Sequence, residues 1–138
     1  MYERILVALD HSAATDQVID AAKNLAEASK AKVWVLHLRE REVIPRMGLV
    51  PTESDTEAAA VVEGAVKTLT EAGIDAKAEV RETIFGHAAR EIIEDAKLHE
   101  VDVIVMGSRG RSDLTGLVLG STAHKVIHLA EHPVLVVR

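Results

Sequence analysis

Short apolar runs alternate with helical stripes along the whole chain. Residues 4–9 (RILVAL) and 32–38 (KVWVLHL) are almost continuously apolar, the pattern of strands buried on both faces. Asp10-His11-Ser12 breaks the first run. Ala14, Val18, Ala21, Ala22, Leu25 and Ala26 then recur at helical spacing, with Ser12 placed as N-cap. Residues 39–52 carry Pro45, Gly48 and Pro51 and no clear period, so they read as a long loop that begins in the solvated charges Arg39, Glu40, Arg41 and Glu42. Loops of that length in compact domains are often functional. Ser54 and Glu57 form a capping-box signature ahead of an apolar stripe of Ala58, Val61, Val62, Ala65, Val66 and Leu69, and Gly73 is a suitable helix stop. In residues 74–81, Ile74, Ala76, Ala78 and Val80 alternate with Asp75, Lys77, Glu79 and Arg81, which predicts a half-exposed strand at a sheet edge. A helix over 87–98, with Ala89, Ile92, Ile93 and Ala96 inward, a strand over 101–106 (VDVIVM), a helix over 121–130 and a strand over 134–137 complete the chain.

Strands separated by helices imply parallel pairing with right-handed crossovers. The expected fold is a single α/β domain over residues 1–138. It is a doubly wound five-stranded parallel sheet with helices on both faces, the strands, numbered along the chain, lying in the order 3-2-1-4-5. Ligands of such sheets bind at the switch point beyond the strands' C-terminal ends. Here that is where Leu9-Asp10-His11 meets Met106-Gly107-Ser108.

Composition narrows the function classes. Hydrophobic residues make up 48% of the 138 but aromatics only 2%, so the core is aliphatic. The absence of cysteine excludes a disulfide scaffold and thiolate catalysis, and suits a reducing compartment. A net charge of −6 is poorly suited to general nucleic-acid binding. No apolar run approaches the ~20 residues of a membrane helix, so no membrane partner is expected. The N-terminus leads straight into a strand without a signal-peptide layout, and a cytoplasmic location is the expectation.

Candidate chemistry lies in the last third of the chain. Gly107-Ser108-Arg109-Gly110 leaves the fourth strand, nine residues follow, and Gly120-Ser121-Thr122 opens the last helix. Glycines let backbone amides approach an anion closely, and a helix N-terminus adds free N–H donors and a positive dipole end. Ser121 and Thr122 offer hydroxyl donors, and Arg109 and Arg111 offer charge. The alternative is a plain surface loop with glycines at its turns; the strand-loop-helix context favours phosphate. Neither G-x-x-x-x-G-K-[ST] nor G-x-G-x-x-G occurs, so the P-loop and dinucleotide readings are not supported.

Read as G-x2-G-x9-G-[ST], the residues Gly107, Gly110, Gly120 and Ser121 resemble the ATP-binding signature of the universal stress protein family. ILVALDHS, VLHL, DVIVMGSRGRS, LGSTAHKVI and the closing HPVLVVR agree with that resemblance in order and spacing, over essentially the whole chain. The resemblance implies a nucleotide-dependent regulatory module of the stress response, dimeric through its C-terminal strand and acting on an unidentified protein partner. The implied ligand is ATP, any magnesium or manganese being bound through its phosphates. The resemblance further implies nucleotide contacts at Ala8, Leu9 and Asp10, an apolar contact to adenine at Leu38, and Met106 and Gly107 at the base. It sets Arg109, Gly110, Gly120, Ser121 and Thr122 around ribose and phosphates. On residues alone, Asp10 reads equally as a turn or cap residue. His11 departs from the small or apolar residue often found there and is left out of the site. Slow ATP hydrolysis or autophosphorylation, and a nucleotide-free partner-binding dimer, are the alternative functions.

Other signals carry less. His124, His128 and His132 recur every four residues and could share a helix face, but no carboxylate or cysteine completes a zinc set, and a solvated face is the reading. His37, inside a buried strand, reads as a hydrogen-bonded core residue. A phosphorylation-receiver reading fails because the third strand runs into Glu82-Thr83-Ile84 and the fifth ends the chain. A serine hydrolase reading lacks its G-x-S-x-G elbow.

Overall fold

The computed structural model describes residues 2–10, 12, 14–108 and 119–138. In chain order its elements are β1 (Arg4–Leu9), α1 (Thr15–Ser29), β2 (Lys32–Ile44), β3 (Gly48–Pro51), α2 (Asp55–Glu71), β4 (Ala76–Ile84), α3 (Ala88–Leu98), β5 (Val103–Gly107), α4 (Ser121–Leu129) and β6 (Val134–Val137). β2, β1, β5 and β6 are parallel neighbours in that order, and β4 pairs in parallel with the other edge of β2. The order expected for five strands is thus present as β4-β2-β1-β5-β6, and β3 is a sixth. The apolar runs of β1 and β5 account for their central places: Ile5, Leu6, Val7, Val103, Ile104 and Val105 are buried on both faces. On one face Val7, Val35 and Val105 pack with Val18 and Ala22 of α1 and Ala65 and Leu69 of α2. On the other, Leu6, Leu36 and Ile104 pack with Ala89, Ile92 and Ala96 of α3 and Ala123 and Val126 of α4. Small alanines on all four helices let the backbones lie close to a sheet rich in branched side chains.

Two local expectations are corrected. Ser12 does not cap α1: the helix begins at Thr15 behind Ala14, which makes no side-chain cap bond, and the Ser12 hydroxyl accepts from the Ala14 amide at 3.3 Å. Residues 39–52 are not a loop. β2 continues through their first half, turns at Pro45–Met47, where the Met47 amide bonds to Ile44 O at 3.0 Å, and returns as antiparallel β3. The turn takes left-handed φ at Arg46 and at Gly48, whose φ of 77° suits glycine. Charged side chains of alternating sign run along this part of β2, so no hydrophobic period marks it. Its charges are strand side chains: Arg39 reaches Glu82 of β4 at 3.0 Å and also pairs with Asp55, and Arg41 pairs with Glu82. By contrast the Ser54–Glu57 capping box is present in both directions, and Gly73 ends α2 region with a φ of 79°.

Candidate functional site

The hairpin matters because of where the register puts it. Leu9 of β1 is opposite His37, while Arg41 is opposite both Pro51 of β3 and Ile84 of β4. β3 therefore lies on the β1 side of β2, beyond the C-terminal end of β1. Together they wall the crevice where the chain direction across the sheet reverses between β1 and β5. Ala8 is opposite Met106 across that junction. Thr15 Oγ1 donates to Asp10 O at 2.8 Å and closes the turn after β1.

On the far side of the crevice the Ser108 amide bonds to Val137 O at 2.7 Å, and Ser108 O accepts from the Gly120 amide at 2.6 Å. That bond returns the chain to the sheet, so Gly120, the N-cap of α4, stands beside the end of β5. Its own side-chain-free position leaves the first-turn amides of α4 without a side-chain cap; such amides have no acceptor within a helix. Ser121 is exposed and Thr122 half-buried. Ala8, Leu38 and Met106 belong to the apolar cluster on the α3/α4 face, while Leu9 points to the α1/α2 face and is buried there. Of the eleven expected site residues, Arg109 and Gly110 lie outside the described residues, as does His11. Eight of the other nine sit at or next to strand ends or at the start of α4; Leu38, expected to end the second strand, lies inside β2, which runs on to Ile44, and is level with the residue after Leu9.

Asp10 is half-buried, and desolvation pushes its carboxyl above the ordinary aspartate range, against the pull of the Ser12 hydroxyl and of the His37 imidazole. Beneath it lies a pair of which only one member was legible. His37 is buried, with Nδ1 2.8 Å from Leu9 O and Nε2 hydrogen-bonded to Glu53. A carbonyl accepts only, so Nδ1 carries a hydrogen; Nε2 and the Glu53 carboxyl then share one further proton. Glu53, between β3 and α2, is also buried. Nothing local in Thr52-Glu53-Ser54 marks it, because its burial depends on the hairpin folding back over β1. The histidine row does not converge: the His124 and His128 rings stack in parallel with centroids 6.3 Å apart, and His132 lies beyond α4.

A parallel sheet in the order β4-β2-β1-β5-β6 with helices on both faces defines the doubly wound class of α/β domains. The universal stress protein family model matches residues 1–138, and the chain belongs to that family. It is 35% identical to universal stress protein YxiE of Bacillus subtilis, with 100% of both chains covered. Among solved structures, MJ0577 of Methanocaldococcus jannaschii superposes with a TM-score of 0.80 at 26% identity, over 99% of this chain and 96% of that one. The universal stress protein of Archaeoglobus fulgidus in complex with dAMP shares the fold, with a TM-score of 0.74 at 23% identity over 99% and 98% of the two chains.

Proposed function

We propose that this chain is an ATP-binding universal stress protein, a nucleotide-dependent regulatory dimer. One observation carries the reading: Asp10, the Leu38/Met106 apolar cluster and the uncapped start of α4 all lie on the side of the sheet where β1 and β5 end, at the switch point. Their chemistry suits the parts of an adenine nucleotide. Leu38 and Met106 offer an apolar surface to the base, and the amides and hydroxyls of Ser121 and Thr122 offer donors to phosphate at the positive end of a helix. Arg109 and Gly110 would join them there. A desolvated carboxylate at Asp10 suits a hydroxyl or amine donor. A related fold solved with dAMP supports the choice of nucleotide class. Magnesium or manganese would be held through the phosphates. Among the described residues the cluster of metal-ligand type, Glu79, Asp95 and His99, includes the C-terminal end of α3 and has Arg81 bonded to two of its members. The chain lacks a P-loop lysine, and fast phosphoryl transfer depends on positioned charge and metal, so the reading is binding rather than rapid turnover.

Mass spectrometry of the protein as purified should find adenine nucleotide, and calorimetry should show ATP bound at least about tenfold more tightly than GTP. Equal affinities, or no binding of either, would overturn the reading.

The dimer rests on a different feature. Among the described residues β6 is an edge strand paired with β5, and Val134, Leu135, Val136 and Val137 are all half-buried or exposed. An uncharged apolar edge is an aggregation hazard unless covered, and a second β6 about a two-fold axis covers it with a self-complementary contact. Light scattering at micromolar concentration should give twice the chain mass, and Val136→Lys should lower it.

A further inference from the structure

At the opposite end of the sheet a cavity of about 250 Å³ opens beside the only tryptophan in the chain. Register puts Lys32 next to Arg4 and Trp34 next to Lys77, on the sheet face that packs against α3. His99, just past α3, packs against Trp34 with ring centroids 3.9 Å apart and ring planes tilted by 33°, and Val101 completes an apolar wall. The indole is fixed from behind: its Nε1 donates to the buried Asp95 at 2.9 Å, and Arg81 donates to the other Asp95 oxygen at 2.6 Å. Burial works against the Arg81 charge, but its bonds to Asp95 and Glu79 outweigh that and hold its pKa above the ordinary arginine value. The wall is therefore rigid before any ligand arrives, a condition that lowers the cost of binding.

The rim is mainly basic. Arg4 is held by Glu100 at 3.1 Å and Asp75 is the acid on the rim, but Lys32 and Lys77 form no ion pair among the described residues. Two available ammonium groups on one face, in a chain of net charge −6, are placed for an anion. We propose that this cavity binds a small planar carboxylate, its ring against Trp34 and His99 and its charge between Lys32 and Lys77. The cavity is below the ~300–1,000 Å³ of drug-sized pockets, which suits a single ring. This site is independent of the nucleotide reading.

The single indole N–H resonance of Trp34 is the natural reporter. Sodium benzoate titrated into the full chain through the millimolar range should shift that resonance and the Lys32 and Lys77 amides saturably. Benzamide, the same ring without charge, should bind about tenfold more weakly. In Lys32→Glu/Lys77→Glu, whose altered side chains are exposed, the remaining amide resonances should stay in place while the benzoate response is lost. No saturable shift with benzoate, an equal response to benzamide, or a response surviving in the double variant would each overturn the proposal.

Discussion

The two ends of β1 use aspartate in opposite ways. At its start, exposed Asp102 accepts from the Glu3 amide at 2.7 Å and the Arg4 amide at 2.9 Å, and these bonds hold its carboxyl below the ordinary range. At its finish, Asp10 is desolvated and its carboxyl is pushed up. The first arrangement favours the charged form that neutral pH provides and ties the strand's entry to the start of β5. The second works against that form. A fold keeps a disfavoured charge where something other than stability selects it, and clefts are where such groups gather. The end of β1 that costs stability is also the end that faces the proposed nucleotide crevice.

The sharpest way to break this comparison is to ask whether the crevice end also contains structure-bearing polar groups. The His37–Glu53 pair says that it does. Glu53→Leu would leave a buried imidazole nitrogen facing a methyl group, and removing one partner of a buried hydrogen-bonded pair is costly. We expect a loss of about 2–3 kcal/mol. Glu53→Gln, which can donate to a neutral imidazole, should lose clearly less. Urea denaturation of the two variants checks both, and no loss in either would show that the hairpin is held by its backbone alone.

The same pair marks the boundary of what the sequence reveals. The central strands follow from continuous apolar runs, the edge strand β4 from a period of two and the helices from a period of 3.6, because each is written in the side chains that bury it; the capping box follows from Ser54 and Glu57, and the switch point from the strand order. The β2–β3 hairpin is not written that way, since its strands present charge on the α2 side, where Arg39 and Arg41 meet Glu82 at separations of 43 and 41 residues in the chain. Glu53 is hidden for the same reason: it is an ordinary loop glutamate until the hairpin is placed. The glycine signature was legible as a motif, and Gly107, Gly120 and Ser121 lie where the switch-point argument puts them. Gly110 falls outside the described residues.

At the other end, Asp102→Asn tests the structural aspartate. A depressed pKa contributes stability that is present above the unfolded-state value and disappears as pH falls through the folded-state value. The amide still accepts both backbone bonds but without charge. For an exposed group screened by solvent, we expect a loss of less than ~1 kcal/mol at neutral pH, shrinking to nothing in acid below the usual carboxylate range. Paired chemical melts across that interval check it; a loss that stays constant with pH would mean that shape and not charge is being measured.

The smallest effect has the opposite sign. The raised pKa of Asp10 means that the folded chain holds this proton more tightly than the unfolded chain does. Its contribution therefore declines as pH rises from the unfolded-state value through the raised one, and at neutral pH the ionised group is a cost. Asp10→Asn removes the charge while keeping an acceptor for the Ser12 hydroxyl and the same volume against the turn closed by Thr15. The variant should be more stable than the parent at neutral pH by less than ~1 kcal/mol, with no gain in acid where Asp10 is already protonated. Its affinity for ATP should fall even as its stability rises. Melts at both pH values and calorimetry on the same preparation separate the two outcomes. A variant that loses stability at neutral pH would show that the Ser12 and His37 contacts outweigh burial. The contrast between the two ends of β1 would then be one of degree and not of sign.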